Sequence, residues 1–265
     1  MITIKTQSEI ELMRASNELV SITLSEVAQL IQPGFTGIEL DQLAEQVIRD
    51  NGGVPVFKGY GGFPASLCIS INDCVVHGIP SKYEIKETDI VSVDCGVLMN
   101  GFVGDAAYTF ALKEVKEETL KLLKVTKQSL SYGIEQARVG NRVGDIGYAI
   151  QDYTERQHGY GVVRALVGHG VGKALHEPPE IPNFGRRGRG LKLKEGMTIA
   201  IEPMINMGTK KVRQHEDGWS ILTRDGLPSA HYEHSIAIRQ KGPDILSNHQ
   251  IIEDKVKNNS NLIDI

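Results

Sequence analysis

The sequence predicts an α+β fold made of two similar halves, each with two helices followed by antiparallel strands. Amphipathic helical patterns come in pairs before strand-rich regions, and two decapeptides align without gaps, IKETDIVSVD at 85–94 and LKEGMTIAIE at 193–202. Each decapeptide begins with an aliphatic residue and Lys-Glu, continues into a β-rich run and ends in a carboxylate. Asp94 therefore corresponds to Glu202. Fused halves commonly build a site at their shared axis, so we expect these carboxylates to lie close together.

Four helices are expected, two in each half. Long helical patterns cover residues 7–31 and 115–137, where large aliphatic side chains recur at helical spacing. A glycine turn and an acidic residue then open a second amphipathic helix, within 31–48 in the first half and within 137–154 in the second.

These patterns divide a single domain, residues 1–265, into halves at about 7–113 and 114–240. No low-complexity linker separates the halves. The segment 241–265 is polar and Asn-rich near its end, and we expect a final strand or loop there, followed by fraying.

A β-hairpin is predicted at 92–110, SVDCGVLMNGFVGDAAYTF, because Asn100-Gly101 lies at its centre. Both positions of a tight hairpin turn need φ > 0, which Asn and Gly adopt readily. A two-residue turn here opposes Val93 to Tyr108 on an apolar face.

The other face of this hairpin carries Asp94 and Asp105 as diagonal neighbours, about 5–8 Å apart at Cβ. Strand positions usually avoid Asp. One or two metal ions could lie between the two carboxylates. The alternative is a half-exposed hairpin whose polar face is in water.

Composition and charge indicate the general class of protein. The chain has 265 residues, 40% of them hydrophobic and 23% charged, with a net charge of −4, which is typical of a globular protein and argues against dedicated nucleic-acid binding. No run approaches the about 18 apolar residues of a membrane span, and the first residues do not resemble a signal peptide. Cys68, Cys74 and Cys95 are odd in number and lack CxxC spacing, so we expect reduced, mostly buried thiols in a cytoplasmic protein.

Further residues suited to acid–base or metal chemistry occur among apolar and glycine-rich stretches. They are His77 in NDCVVHGIP, His169 and His176 in VGHGVGKALHEPPEIP, Glu202 in GMTIAIEPMI and Glu233 in SAHYEHSIAI. A structural or surface role is the alternative for His77, and an outward-facing side chain is the alternative for Glu233. The glycine-rich surroundings of His169 and His176 are unusual for surface residues, and a carboxylate such as Glu202 in a buried strand is costly unless it is paired or bound to a metal. A phosphate-binding loop at GHGVGKA is excluded, because Val167 replaces the first glycine and Ala174 follows Lys173 where Ser or Thr is needed.

Five of these residues form an oxygen-rich set: Asp94, Asp105, His169, Glu202 and Glu233. Four carboxylates beside one imidazole carry too much negative charge to lie close together unless cations compensate for it. Two divalent ions would balance the charge, and hard oxygen ligands with one His suit Mn, Fe(II), Co or Zn. Zinc alone would usually recruit more His or Cys.

The segments CISINDCVVHGIP, VSVDCGVLMNGFVGDAAYTF, GHGVGKALHEPPEIPNFG, GMTIAIEPMI and SAHYEHSIAI together resemble type I methionine aminopeptidases, over about residues 5–240. The short bacterial form is the most similar, since no zinc-finger or targeting extension precedes the first helix. The resemblance implies the pita-bread fold, with two pseudo-symmetric halves around a dinuclear metal site. It also implies removal of the initiator methionine when the second residue is small.

The resemblance further implies roles for single residues. Asp94, Asp105 and Glu233 would hold one ion, and Asp105, His169, Glu202 and Glu233 the other, with Asp105 and Glu233 bridging. A hydroxide between the ions would attack the carbonyl of residue one. Glu202 would accept the proton of the water, and His176 would stabilise the oxyanion. His77 would contact the scissile nitrogen or the next residue's backbone.

By the same resemblance, a methionine pocket involves Tyr60, Phe63, Cys68, Trp219 and the side of His77. Apolar and sulfur–aromatic contacts suit a thioether; core packing is the alternative for each aromatic. The sequence departs from many relatives in this pocket, because Phe57, Phe63 and Leu175 stand where Cys, Tyr and Phe are frequent.

The expected partners are the N-termini of nascent polypeptides, acted on by a monomer that has no membrane partner. The basic loop RRGR, with Arg186, Arg187 and Arg189, is interpreted as a solvated surface loop, and contact with ribosomal RNA near the exit tunnel is the alternative.

Three alternative functions are compatible with parts of the sequence. An X-Pro peptidase, such as aminopeptidase P or prolidase, would usually carry a large additional N-terminal domain. A type II methionine aminopeptidase would need a helical insertion, for which residues 120–240 leave no room. A metal-free binding module of the same fold would have lost metal ligands, but all five are present.

Overall fold

The computed structural model describes residues 2–265. The helices are α1 (Gln7–Leu30), α2 (Gly37–Asp50), α3 (Glu117–Glu135), α4 (Val143–Gln151) and α5 (His249–Asn258). The strands up to residue 112 are β1 (Val54–Pro55), β2 (Leu67–Ile71), β3 (Cys74–Val76), β4 (Ile90–Met99) and β5 (Phe102–Leu112). Those that follow are β6 (Gly161–Val162), β7 (Gly168–Gly170), β8 (Glu177–Ile181), β9 (Thr198–Ile201), β10 (Met204–Asn206), β11 (Val212–Gln214), β12 (Ile221–Thr223), β13 (Ser229–His231), β14 (His234–Arg239), β15 (Gly242–Ile245) and β16 (Leu262–Ile263). Within residues 2–265, every helix is too short or too polar to cross a membrane.

The four predicted helices are present, and side-chain caps determine where two of them begin. At the start of α2 the backbone N–H of Thr36 donates to Glu39, 2.8 Å away, and Thr36 accepts from the backbone N–H of Glu39. Thr6 makes the same reciprocal pair before α1. These capping boxes satisfy backbone donors that a helix leaves free in its first turn. The acidic residue Asp145 likewise accepts from the backbone N–H of Arg142 at the start of α4.

The predicted hairpin is confirmed. Strands β4 and β5 pair without a bulge from Ile90↔Ala111 to Met99↔Phe102, and Val93 opposes Tyr108. Asn100 and Gly101 form the turn with φ of 54° and 77°. The hairpin is the centre of a five-stranded sheet in which β1 and β2 also pair with β4, and β16 pairs with β5. This sheet packs against α1, so one face of the hairpin meets a helix and its other face is free to build a site.

The second large sheet has the strand order β15-β14-β9-β7-β8. Two smaller sheets have the orders β13-β10-β6 and β11-β12-β3. The chain passes between the large and a small sheet twice, once at Glu202-Pro203 between β9 and β10, and once at Tyr232-Glu233 between β13 and β14.

The alternating apolar run over 229–238 does not form one unbroken strand. His231 pairs with Met204 in the small sheet, whereas His234 pairs with Ile201 in the large sheet. The break frees the backbone of Glu233 from both ladders, and its N–H donates to the carbonyl of Ala107 in β5 at 3.0 Å.

The main apolar core extends across both halves of the chain. It joins buried residues of the first sheet, such as Tyr108, to residues of the second sheet, such as Ile199 and Ile236. The ring of Tyr108 contacts that of Tyr232 edge-on at 5.1 Å, a favourable geometry for aromatic pairs. Removal of this apolar surface from water is the main source of stability that holds the sheets in place.

The C-terminal segment differs from the expected strand and frayed tail. After β15, the cap Asn248 opens α5, which packs against α1, and β16 extends the first sheet. The apolar residues Ile252, Val256 and Leu262 are buried, and Asn259 donates to two carbonyl groups at the end of α1. These contacts compensate for the entropy of ordering a polar segment.

Candidate metal centre and substrate cavity

A cavity of about 360 Å³ brings together all of the site residues expected from the sequence. The expected metal ligands that line it are Asp94, Asp105, His169, Glu202 and Glu233. The expected catalytic and pocket residues that line it are Tyr60, Phe63, Cys68, His77, His176 and Trp219. The expected ligands from both halves of the chain thus line one cavity.

Strand geometry positions the four carboxylates. Asp94 and Asp105 lie on β4 and β5, where Asp94 opposes Ala107 and Asp105 opposes Gly96, so their side chains share one face. Glu202 lies where the chain leaves the second large sheet after β9, and Glu233 lies where the chain enters that sheet before β14. Because β9 and β14 are paired neighbours, these two breaks lie beside each other and opposite the hairpin.

His169 on β7 completes this cluster. Its Nε2 lies 3.4 Å from Oε1 of Glu202 and 3.7 Å from Oδ2 of Asp105. Its Nδ1 lies 2.9 Å from the carbonyl of Gly170, a contact that assigns the proton to Nδ1 and leaves a lone pair on Nε2. Ligand atoms of Asp105, His169 and Glu233 lie within 4.8 Å of one another.

Burial and mutual repulsion disfavour the ionised form of the carboxyl groups in this cluster. Burial raises the pKa of Asp94 and of Glu202 to about 7. Burial, followed by repulsion from neighbouring carboxylates, raises the pKa of Asp105 and Glu233 well above their usual range. Full ionisation of four such groups near neutral pH requires compensating positive charge.

The donor atoms of the cluster fit divalent cations. Within residues 2–265, the buried atoms Asp94 Oδ1, Asp105 Oδ1 and Glu233 Oε1 have no hydrogen-bond partner. Buried oxygens without partners are costly unless an ion or water satisfies them. Carboxylate oxygens with one imidazole nitrogen are ligands that Mn, Fe(II), Co or Zn accept.

Two further histidines face the cavity beside the cluster. The ring of His176 lies 4.3 Å from that of His169, and its Nδ1 lies 2.7 Å from the hydroxyl of Tyr60. His77 follows β3 directly, with a φ of 59° that is rare for a residue with a side chain. Burial lowers the pKa of His77 to about 4 and also lowers the pKa of His176, so both rings are neutral near pH 7.

The remaining wall of the cavity is apolar. Phe63 and Trp219 meet edge-on with 5.2 Å between ring centroids, and Cys68 is 6% exposed. The prediction of free, buried thiols is confirmed for all three cysteines. Phe57 and Leu175 also line this wall.

Sequence reasoning missed five residues of the site. Val76, Leu166, Val167 and Met204 line the cavity. His231 is 2% exposed, and its Nε2 lies 3.6 Å from Oε2 of Glu202. Each flanks a predicted residue in the chain, and His231 precedes Glu233 by two positions, the spacing at which strand side chains share a face.

Comparisons with known proteins agree with this arrangement. The model of metallopeptidase family M24 matches residues 11–240. A methionine aminopeptidase of Clostridium acetobutylicum is 53% identical over 248 residues, which are 93% of this chain and 99% of the relative. The crystal structure of methionine aminopeptidase from Rickettsia prowazekii superposes with a TM-score of 0.92 at 40% identity, covering 94% of this chain and all of that one.

A more distant similarity concerns the fold alone. An Xaa-Pro dipeptidase of Bacillus anthracis superposes with a TM-score of 0.74 at 21% identity. The match covers 92% of this chain but only 62% of that protein.

Proposed function

The chain belongs to metallopeptidase family M24 and to its methionine aminopeptidases, and we propose that it removes the initiator methionine from nascent proteins whose second residue is small. The pita-bread fold expected from the sequence is confirmed by solved methionine aminopeptidase structures that match over 94% of this chain. The observation that carries the proposal is one cavity in which a carboxylate–histidine cluster adjoins an aromatic and sulfur-containing wall.

We propose that two divalent ions bind in this cavity. Asp94, Asp105 and Glu233 would hold one ion, and Asp105, His169, Glu202 and Glu233 the other. The oxygen atoms without partners and the free Nε2 of His169 support this assignment. The bound ions would supply an activated water and polarise the scissile carbonyl. Mn, Fe(II), Co and Zn all suit the donor set.

Three side chains would handle protons and charge during hydrolysis. Glu202 would accept a proton from the water and pass it to the leaving amine. His176 would donate a hydrogen bond to the oxyanion. With the Tyr60 hydroxyl, 2.7 Å away, as the donor to Nδ1 of His176, the imidazole would carry its proton on Nε2, the tautomer that this role needs. His77 would contact the backbone beyond the scissile bond.

The methionine side chain would lie against Phe63, Trp219, Cys68 and Tyr60, with one side of His77 completing the contact. Thioethers make favourable contacts with aromatic ring edges, and the pocket offers two aromatic rings in an edge-on pair. Phe57 and Leu175 line the same wall, so their size would limit which side chain of the substrate's first residue fits.

We propose that the substrates are the free N-termini of new polypeptides in the cytoplasm, where unpaired thiols stay reduced. The exposed loop of Arg186, Arg187 and Arg189 is proposed to be solvated, and contact with ribosomal RNA is its alternative role. We propose a monomer.

Peptide cleavage after metal removal tests this function. The protein is stripped with a chelator, reloaded with Mn, Fe(II), Co or Zn separately, and offered Met-Ala-Ser, Met-Lys-Ser and Ala-Pro-Ser peptides. We expect release of methionine from Met-Ala-Ser with at least one metal, and little from Met-Lys-Ser. Equal rates for the two Met peptides would contradict the proposed specificity. Preferential cleavage of Ala-Pro-Ser would favour the X-Pro alternative.

A further inference from the structure

An ion pair joins the first residues of the described chain to the loop that carries His176. Lys5 lies just before the Thr6 cap of α1, and its Nζ contacts Oε2 of Glu177 at 2.5 Å. The side chains of Lys5 and Glu177 are only 3% and 13% exposed. Lysine and glutamate are rarely buried to this extent unless they are paired.

Glu177 stabilises the turn that leads from β7 to β8. Its Oε1 accepts hydrogen bonds from the backbone N–H groups of Lys173 and Ala174, at 2.9 and 3.3 Å. A Cβ atom at Gly172 would lie 2.5–2.6 Å from the ends of the Lys5 and Glu177 side chains, so a larger residue there would force the pair to shift. Because His176 directly precedes Glu177, the position of the carboxylate constrains where the imidazole enters the cavity.

Lys5 is itself anchored to the second half of the chain. Its backbone N–H donates to the carbonyl of Gly196 at 2.7 Å, and the N–H of Gly196 donates to Ile238 in β14. His176 is thus held from two directions, by the Tyr60 hydroxyl at its ring and by Lys5 through Glu177 at its backbone.

Stability alone is a weak reason for such a pair. Two well-packed apolar side chains often stabilise a protein as much as a buried ion pair, because desolvation of the charges offsets their attraction. The Lys5–Glu177 pair does, however, restrict the turn between β7 and β8 to one conformation. The ion pair holds one oxygen of Glu177, and the backbone hydrogen bonds hold the other. Catalytic groups must be held within a fraction of an ångström, since small displacements cost large factors in rate.

We propose that Lys5 is a positioning residue for the reaction, which acts through Glu177 by fixing the backbone that carries His176. This inference rests on the proposed role of His176 as the oxyanion donor. If the proposal is correct, loss of Lys5 lowers only the contribution that His176 makes to kcat. Metal binding by Asp94, Asp105, His169, Glu202 and Glu233 should be unaffected.

Steady-state kinetics of Lys5→Met, His176→Ala and the double variant test the proposal. We expect Lys5→Met to lower kcat for Met-Ala-Ser by about 10–100-fold with a nearly unchanged KM. His176→Ala should lower kcat by about 10²–10³-fold. The double variant should be no slower than His176→Ala alone, because Lys5 has no effect once its imidazole is gone. Bound metal, measured by elemental analysis, should stay at the wild-type level in Lys5→Met.

Two further variants serve as controls. Lys5→Met/Glu177→Gln removes both charges and so leaves no unpaired buried charge. It therefore tests whether the pair fixes the turn that carries His176 even if Lys5→Met alone fails to fold. Its kcat should remain low. Arg14→Met breaks the ion pair between Arg14 on α1 and Asp244 on β15. This pair lies outside the cavity, so the variant should leave kcat unchanged.

The outcomes distinguish the two levels of the proposal. Wild-type kcat in a folded Lys5→Met protein, or in the variant without both charges, would overturn the role of Lys5 while leaving that of His176 intact. Multiplicative losses in Lys5→Met/His176→Ala would show that Lys5 acts independently of His176. Wild-type kcat in His176→Ala would instead contradict the proposed function of His176 itself.

Discussion

At the scale of single residues, the cavity concentrates negative charge that the fold alone does not neutralise. Among residues 2–265, the basic side chains within 4 Å of these carboxylates are His169 and His231, and burial lowers the pKa of both. Neutral imidazoles contribute no positive charge at pH 7. The carboxylates are therefore expected to depend on cations both for their ionised state and for their chemistry.

The two aspartates of the hairpin should be individually essential. Asp94→Asn and Asp105→Asn preserve side-chain volume but replace one ligand oxygen with an NH₂ group. We expect each variant to fold, to bind less metal and to lose more than about 100-fold in activity, since even loss of a residue that only supports a ligand costs 10–100-fold. Metal analysis, circular dichroism and Met-Ala-Ser cleavage provide the measurements.

Asp50→Asn is a suitable control for the hairpin variants, because Asp50 is an exposed residue at the end of α2. It should retain full metal content and activity. A fully active Asp94→Asn or Asp105→Asn protein with normal bound metal would show that the ligand set has been assigned wrongly.

At the scale of elements, the contact between α1 and β5 determines where Asp105 lies. A Cβ atom at Gly104 would lie 2.5 Å from the backbone nitrogen of Asn17 and the carbonyl carbon of Ser16. The next residue along β5 is tied to the same helix, because the N–H of Asp105 donates to Oδ1 of Asn17 at 3.2 Å.

Gly104→Ala should therefore destabilise the protein and disturb the metal site. The methyl group meets backbone atoms that cannot rotate away, so the strand must move from the helix, at a cost of about 2–4 kcal/mol. Urea unfolding measures the loss of stability, and metal titration measures the effect on Asp105. Gly101→Ala is the matched control: nothing lies within 4 Å, but its φ of 77° should cost about 1 kcal/mol without affecting metal affinity. Equal stability and metal affinity for wild type and Gly104→Ala would contradict this account.

Local signals explain which elements could be predicted from sequence. The first residues of α1 and α2 follow from capping residues that are three positions apart. The register of β4 and β5 follows from a two-residue turn. The break at Tyr232-Glu233 has no such signal. It arises because the two flanking strands pair with β10 and β9, which are distant in sequence. The helix α5 was missed because its stability depends on packing against α1.

At the scale of the whole molecule, the site exists only when both halves are folded together. Asp94 and Asp105 come from one half, and His169, Glu202 and Glu233 from the other. The sequence predicted four of these because carboxylates in apolar strands are costly, and His169 because an imidazole lies there among glycines and small apolar residues. Val76, Leu166, Val167 and Met204 could not be selected in this way, because an apolar residue that lines a cavity resembles one in the core.

Metal binding should accordingly stabilise the entire fold, and more so at higher pH. Burial raises the pKa of Asp94 and Glu202 to about 7, well above their unfolded values, so the metal-free native state binds more protons than the unfolded chain between about pH 4 and 7. The stability from these protons is fully present below about pH 4 and is lost as the pH rises through 7. A divalent ion must displace the same protons, so its affinity rises over that range.

We expect added Mn²⁺ to raise the Tm of chelator-treated protein more at pH 8 than at pH 6. A ligand present at 100 times its Kd stabilises by about 2.7 kcal/mol, and each displaced proton weakens affinity by about tenfold per pH unit below 7. Thermal unfolding with and without Mn²⁺ at both pH values measures the difference. Glu202→Gln removes one of the two groups whose pKa is raised to about 7 and should reduce the pH dependence of the Tm shift. An equal Tm shift at pH 6 and pH 8 in the wild-type protein would mean that the ion does not compete with protons at these carboxylates.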